Sequence, residues 1–193
     1  MEILGKIFGN TARVKIMRLF LLNKSKGFTT KDVVKRSRAN SAVARKELNL
    51  LASIGLIKKR PSAWFYDYSF KYSKPLEELL VGADAPDKEA IATSFKKVGR
   101  IKLLLVSGVF IKHKASRVDL LIVGNKLKRS KIEEGVRKLE AEIGAELVYA
   151  VFETKEFIYR LNMYDKLVRD ILDFPHDVIL QAKELSTIAL KKA

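Results

Sequence analysis

The chain has 193 residues and no cysteine, which removes disulfides, thiolate nucleophiles and Cys-ligated zinc from consideration. Its two histidines, His113 and His176, stand far apart and offer no metal-ligand spacing. No apolar run approaches the ~18–20 residues that cross a bilayer. The best candidate, Val14–Leu22, is interrupted by Lys15 and Arg18. The first residues lack a charged-then-apolar signal pattern, so a cytoplasmic chain with no membrane association is expected. Gly99, Gly108 and Gly124 are isolated, so no Gly-rich phosphate loop exists, and no G-x-S-x-G nucleophile motif is present.

Acidic residues are scarce in one part of the chain only. Residues 1–74 hold 17 Lys and Arg against 4 Asp and Glu, a net of +13. The remaining residues hold 21 against 18, a net of +3. A charge gathered into one third of a chain points to a polyanion-binding module rather than to a uniformly basic protein. A solvated basic surface without a partner is the plainer alternative. The apolar fraction of 48% suffices for real cores.

Within the basic third, Asn10 is a candidate N-cap for a helix running to about Asn23, with Ile16, Met17, Leu19, Phe20 and Leu21 as apolar bulk. Lys24-Ser25-Lys26-Gly27 breaks it. Thr29 and Asp32 have capping-box spacing, and Phe28 with Val33 have the spacing of a hydrophobic staple, so a second helix starts there and runs to about Ser37. Arg38-Ala39-Asn40 makes a turn, and Asn40 or Ser41 caps a third helix that stops at Gly55. Along it Ala44, Leu48 and Leu51 make a core stripe, and Ala42, Arg45, Lys46, Asn49 and Ser53 make an exposed one. Leu56–Arg60 and Trp64–Tyr68 read as antiparallel strands joined at Pro61-Ser62-Ala63. Trp64, Phe65 and Tyr66 are expected to pack between these strands and the helices, stacking on single-stranded bases being the alternative.

The stretch Asn40–Arg60, NSAVARKELNLLASIGLIKKR, resembles the recognition helix and wing start of the ArsR-type winged helix-turn-helix repressors. The resemblance implies a homodimeric regulator that binds double-stranded DNA. Arg45, Lys46 and Asn49 would read base edges, since Arg and Lys donate to guanine and Asn pairs with adenine. Arg38, Asn40, Ser41, Lys58, Lys59 and Arg60 would contact phosphates. Metal-sensing members use Cys or His ligands; this chain has no cysteine and no suitable histidine cluster, so no metal and no cofactor is expected.

Residues 75–97 read as a connector: a short apolar helix, LEELLVG, a break at Gly82–Pro86, and a helix from Asp87 to about Val98. Leu76, Leu79, Leu80 and Ile91 are candidates for a dimer contact or for packing between domains. From Arg100 the pattern changes to Ile101–Val106 as a buried strand, Arg117–Val123 as a second, Lys128–Ile143 as a helix and Glu146–Phe152 as a third strand. Glu133, Glu134, Glu140 and Glu142 read as a solvated helix face. Helices are expected at Thr154–Asn162, at Tyr164–Asp173 and from Asp177 onward. Strands alternating with helices imply a mixed sheet covered by helices.

The segment Leu105–Val123, LVSGVFIKHKASRVDLLIV, resembles the motif of the minimal nucleotidyltransferases of the polymerase-beta superfamily. That family places Gly then Gly or Ser after an apolar strand, then two acids one residue apart that bind magnesium, with a third acid on the next strand. Here Ser107 precedes Gly108, Asp119 stands at the second acid position, and Arg117 stands at the first. Glu146 and Glu153 are candidates for the third. The resemblance therefore implies a catalytically degenerate domain in which Asp119 is a vestige. Ser107, Gly108, Lys112, Lys114 and Arg117 could still hold a nucleotide or phosphate, or the domain serves assembly. An active magnesium-dependent nucleotidyltransferase whose winged helix recruits its substrate is the alternative. The expected fold class is α+β: a winged helix-turn-helix over 1–74, a connector over 75–97, and a nucleotidyltransferase-like domain with C-terminal helices over 98–193.

Overall fold

The structure, a computed structural model, describes residues 2–82, 87–113 and 115–186. It is a mixed α+β protein divided into two compact units, one of Met1–Pro86 with Arg137–Glu146, the other of Asp87–Val136 with Leu147–Ala193.

In the first unit α1 (Glu2–Ile7), a helix not foreseen in the sequence, precedes α2 (Thr11–Leu22). Asn10 caps α2, its side-chain oxygen accepting from the Ala12 amide at 2.9 Å. Nearly the whole circumference of α2 is buried, including Val14, Ile16, Met17, Leu19, Phe20 and Leu21. A helix buried on nearly all sides lies at the centre of a unit, and α1, α3 (Thr30–Ser37), α4 (Ser41–Ser53) and α5 (Ser73–Gly82) all pack on it. The capping box forms as expected, with Thr29 and Asp32 exchanging side-chain and backbone hydrogen bonds. Phe28 and Val33 are both buried in the same core. Arg38, at φ 53°, closes α3 in the left-handed region, and Asn40 caps α4.

The end of α4 is a Schellman turn: the Leu56 amide donates to the Leu51 carbonyl and the Gly55 amide to Ala52. Gly55 takes φ +79°, a conformation that a β-carbon disfavours. The chain then enters the hairpin of β1 (Ile57–Lys59) and β2 (Trp64–Tyr66), paired antiparallel. Phe28 and Trp64 exchange both backbone hydrogen bonds and extend the pairing by one bridge. Trp64 and Tyr66 are buried, and the Trp64 indole donates to the Thr30 hydroxyl at 3.2 Å. These aromatics pack, as expected.

Two parts of the expected organisation change. The 75–97 connector is divided, because α5 packs against α2 and buries Leu80 in the first core, while α6 (Lys88–Ser94) belongs to the second unit and buries Ile91. Leu80 and Ile91 are thus consumed inside the chain and unavailable to a dimer contact; Leu79 remains 43% exposed. The end of α7 (Arg129–Ile143) lies in the first unit. There buried Arg18 donates to the Leu80 carbonyl at 2.6 Å and the Glu142 carbonyl at 3.0 Å, a cation set at two helix C-termini. Glu142, expected in solvent, is half-buried and pairs with Lys15 at 2.9 Å. The break at Gly82–Pro86 falls largely outside the described residues.

The second unit is built on a mixed four-stranded sheet in the order β5 (Tyr149–Glu153), β4 (Leu120–Asn125), β3 (Arg100–Val106), β6 (Asp177–Gln181). β3 runs antiparallel to β4 and β6, and β4 parallel to β5. One face, with Leu103, Leu105, Leu121, Val123 and Phe152, packs on α8 (Thr154–Asn162) and α9 (Lys166–Asp173) through Phe157, Val168, Ile171 and Leu172. The expected helix from Asp177 is overturned over its described part, which forms β6 and then a single 3-10 turn at Lys183–Leu185. Its Val178-Ile179-Leu180 run is too short for periodicity to distinguish strand from helix. Ile188 and Leu190 lie outside the described residues.

Candidate nucleic-acid interface

The stripe division of α4 is realised in the first unit. Ala44, Leu48 and Leu51 are fully buried, while Ala42, Arg45, Lys46, Asn49 and Ser53 are exposed. Among the described residues, the side chains of Arg45, Lys46 and Asn49 engage no hydrogen bond or ion pair. Little more than one turn of a single helix therefore presents three uncommitted donors. Asn40 differs, because its side-chain oxygen is spent on the Ala42 amide at 2.8 Å. Ser41 begins the helix and is exposed.

A buried network that the helical periodicity did not reveal fixes the opposite side of α4. Glu47 is 1% exposed. Its carboxylate accepts from Arg13 Nε at 2.6 Å, from Arg13 Nη2 at 3.3 Å and from Asn10 Nδ2 at 3.0 Å. Asn10 thus caps α2 and holds α4 at once. A bidentate arginine–carboxylate pair fixes orientation as well as position, so the buried face of α4 is held against α2 by more than apolar contact and the opposite face is left exposed. The only signal in the sequence was an acid among cations on a helix otherwise free of negative charge.

The hairpin places its cations unequally. Lys59 Nζ sits 5.5 Å from the Trp64 ring centroid and the Arg60 guanidinium 4.9 Å from that of Phe65. Both are steered by the aromatic strand opposite while still exposed. Lys58 pairs with Asp67 at 3.4 Å, so part of its charge is answered within the chain. Asp67 is itself held below the usual carboxylate range, chiefly by the Ser69 amide and hydroxyl and then by Lys58.

Two further cations border the same surface. Lys31 and Lys35 project from α3 at i, i+4 and, with Thr30, Val34, Ser41 and Arg45, line a groove of about 400 Å³. Their i, i+4 spacing is legible in the sequence. Arg36, also on α3, is committed elsewhere: it donates to Glu146 at 2.7 Å and stacks on Phe28. Glu146 is correspondingly held below the usual carboxylate range, first by that hydrogen bond and then by Arg36's charge.

The second expected site, after β3, has the opposite character. Ser107, buried, donates its hydroxyl to the Val118 carbonyl. Gly108 turns the chain at φ +56°, and a β-carbon there would collide with the Asp119 carboxylate. One Asp119 oxygen accepts from the Val109 amide at 2.8 Å and the other from the Val148 amide at 2.9 Å. Arg117 donates to Asp170 of α9 at 2.9 Å. Lys112 is exposed with φ 58°, and Lys114 lies outside the described residues.

Neither candidate third acid joins Asp119. Glu146 belongs to the first unit and is bound by Arg36. Glu153 pairs with Gly124 in the parallel ladder, five residues beyond Asp119, roughly 16 Å at ~3.3 Å per residue. Magnesium takes oxygen ligands in near-octahedral array; a single carboxylate already accepting two amides, beside an arginine, does not fit it. Among the described residues no cluster of three or more His, Asp and Glu side chains could hold a metal.

Comparison with known proteins finds no match, whether among family models, curated proteins or solved structures. The functional reading therefore rests on the residues alone.

Proposed function

We propose that the chain is a sequence-specific double-stranded DNA-binding transcriptional regulator. On this reading the first unit is a winged helix-turn-helix of ArsR-like type, α3 and α4 are its two helices, and β1–β2 is its wing. The observation that carries it is the uncommitted polar face of α4, with Arg45, Lys46 and Asn49 exposed and unpartnered among the described residues, flanked by Lys59 and Arg60. A helix with free Arg and Asn side chains on a net-positive unit offers base-edge donors and phosphate contacts together. Lys31 and Lys35 add to the backbone contacts.

The second unit is read as a pseudo-nucleotidyltransferase domain used for assembly or ligand sensing, in a homodimer. What supports this is the commitment of Asp119 to two backbone amides and of Arg117 to Asp170. Both groups are engaged in holding the loop together.

Selection of duplexes from a random library by the full chain, at about 150 mM salt, tests the reading. Enrichment of a motif, with two-fold symmetry for a dimer, is the expected result. Retention without enrichment would leave only charge-driven binding and remove sequence recognition.

A further inference from the structure

The largest exposed apolar side chains of the second unit gather at the α8–α9 corner. Tyr159 is 65% exposed, Met163 63% and Tyr164 75%. Tyr159 and Met163 are one turn apart, the Met163 amide donating to the Tyr159 carbonyl at 3.0 Å, and so share a face. Ile158 and Leu167, at 40% and 38% exposure, adjoin them in the chain.

Tyr164 occupies a costly position. It follows the C-cap residue Met163 with φ 54°. Its amide donates to Leu161 and the Asp165 amide to Arg160, closing a Schellman turn. That site is ordinarily glycine, because a β-carbon strains the left-handed conformation. The bulky ring gains little shelter in return: the Arg169 guanidinium lies 5.7 Å from its centroid and fixes its orientation, while most of the residue stays in solvent. A strained, oriented and exposed aromatic is a preorganised anchor rather than a packing residue.

Charge selects the occupant. The chain carries +16, of which residues 1–74 hold +13, so two copies repel chiefly through that basic third. Residues 154–173 hold Lys155, Arg160, Lys166 and Arg169 against Glu156, Asp165, Asp170 and Asp173, four of each sign. A nucleic acid would be drawn by an excess of cations that this corner lacks. A neutral surface with both signs interspersed can be self-complementary about a two-fold axis. At ~150–250 Å² per aromatic side chain, the five exposed apolar residues offer on the order of 500 Å². That is most of the ~800 Å² that each partner gives to a standard interface.

We propose that this corner is where two copies of the chain meet, an isologous contact centred on Tyr159, Met163 and Tyr164. The inference locates the dimer of the preceding reading but does not depend on that dimer binding DNA.

Sedimentation equilibrium of the full chain at about 150 mM salt tests it. The wild type is expected to dimerise at micromolar concentration, and Tyr159→Glu with Met163→Glu to raise the dimer dissociation constant at least ~10-fold, with an unchanged circular-dichroism spectrum. Tyr164→Gly is expected to raise the unfolding temperature while weakening the dimer, a combination that loss of folding cannot produce. A monomeric wild type, or a dimer unmoved by the double substitution, would overturn the proposal. A dimer that the double substitution dissociates, but that selects no duplex sequence, would sustain this interface and remove the regulator reading alone.

Discussion

The exposed face of α4 and the Gly108–Asp119 loop are both rich in polar and charged side chains, and they use them in opposite ways. On α4, Arg45, Lys46 and Asn49 find no partner among the described residues, and the charge that does need one, Glu47, is turned inward onto Arg13 and Asn10. In the loop, Ser107, Arg117 and Asp119 are each occupied by a neighbour in the chain. Side chains left open on a rigid helix can recognise something else, whereas side chains closed on one another hold the chain's own shape. The difference predicts that changes on α4 alter binding and leave stability, while changes in the loop do the reverse.

The largest effect is expected in the loop. Asp119→Ala leaves the Val109 and Val148 amides without their acceptor and should lower stability by about 2–3 kcal/mol in urea denaturation, since hydrogen bonds to charged groups are worth ~1.5–3 kcal/mol. Duplex affinity of the folded fraction should not change. A stable Asp119→Ala protein would return Asp119 to the pool of chemical groups and weaken the contrast. Gly108→Ala should also destabilise, through its positive φ and its clash with the same carboxylate.

Next comes the helix face. Arg45→Ala should cost about 1–3 kcal/mol on a selected site, and discrimination at one base position should relax. The urea midpoint should stay within error, because Arg45 makes no intrachain hydrogen bond or ion pair among the described residues. Equal loss on every sequence would demote Arg45 from base reading to phosphate contact.

A smaller effect belongs to the helix start. Thr29→Ala removes the cap of α3 and should cost about 1 kcal/mol of stability. The same cap has a pH signature. Asp32 lies below the usual carboxylate range, chiefly through Thr29's hydroxyl and amide, as Asp67 does through Ser69. Their folded-state values lie below the unfolded ones, so the stability they contribute is present above about pH 4 and is lost as pH falls through the folded values. Wild-type unfolding should become easier across that acid range, and Thr29→Ala should flatten the dependence.

The smallest change concerns the hairpin. Lys59→Ala should weaken binding to all duplexes alike and reduce the slope of log affinity against log salt by about one unit. Lys58→Ala should reduce it less, because Asp67 already answers part of that charge. Equal slopes for the two variants would erase the distinction drawn between them.

Much of the first unit was legible in its sequence because its signals are local. Asn10, Thr29 with Asp32, Asn40 and Gly55 each mark a helix end through chemistry acting within three residues. What stayed hidden there depends on distant partners. Glu47 is buried against Arg13, 34 positions away. The acidic spacing at the end of α7 is that of a solvated face, yet Arg18 and Lys15 of α2 hold Glu142. In the second unit β3 and β4 announced themselves by long apolar runs, whereas β6 did not, since Val178-Ile179-Leu180 becomes a strand only through the edge that β3 offers. The role of Asp119 was equally closed to sequence reading, because its acceptors face amides at Val109 and Val148 on separate elements.

Amide hydrogen exchange of the full chain, with and without a saturating selected duplex, tests the central contrast most directly. Protection should rise across 38–60, the turn, α4 and the first strand of the hairpin, while 107–119 exchanges as before. Protection gained at 107–119 with none over α4 would contradict the account and move recognition to the loop.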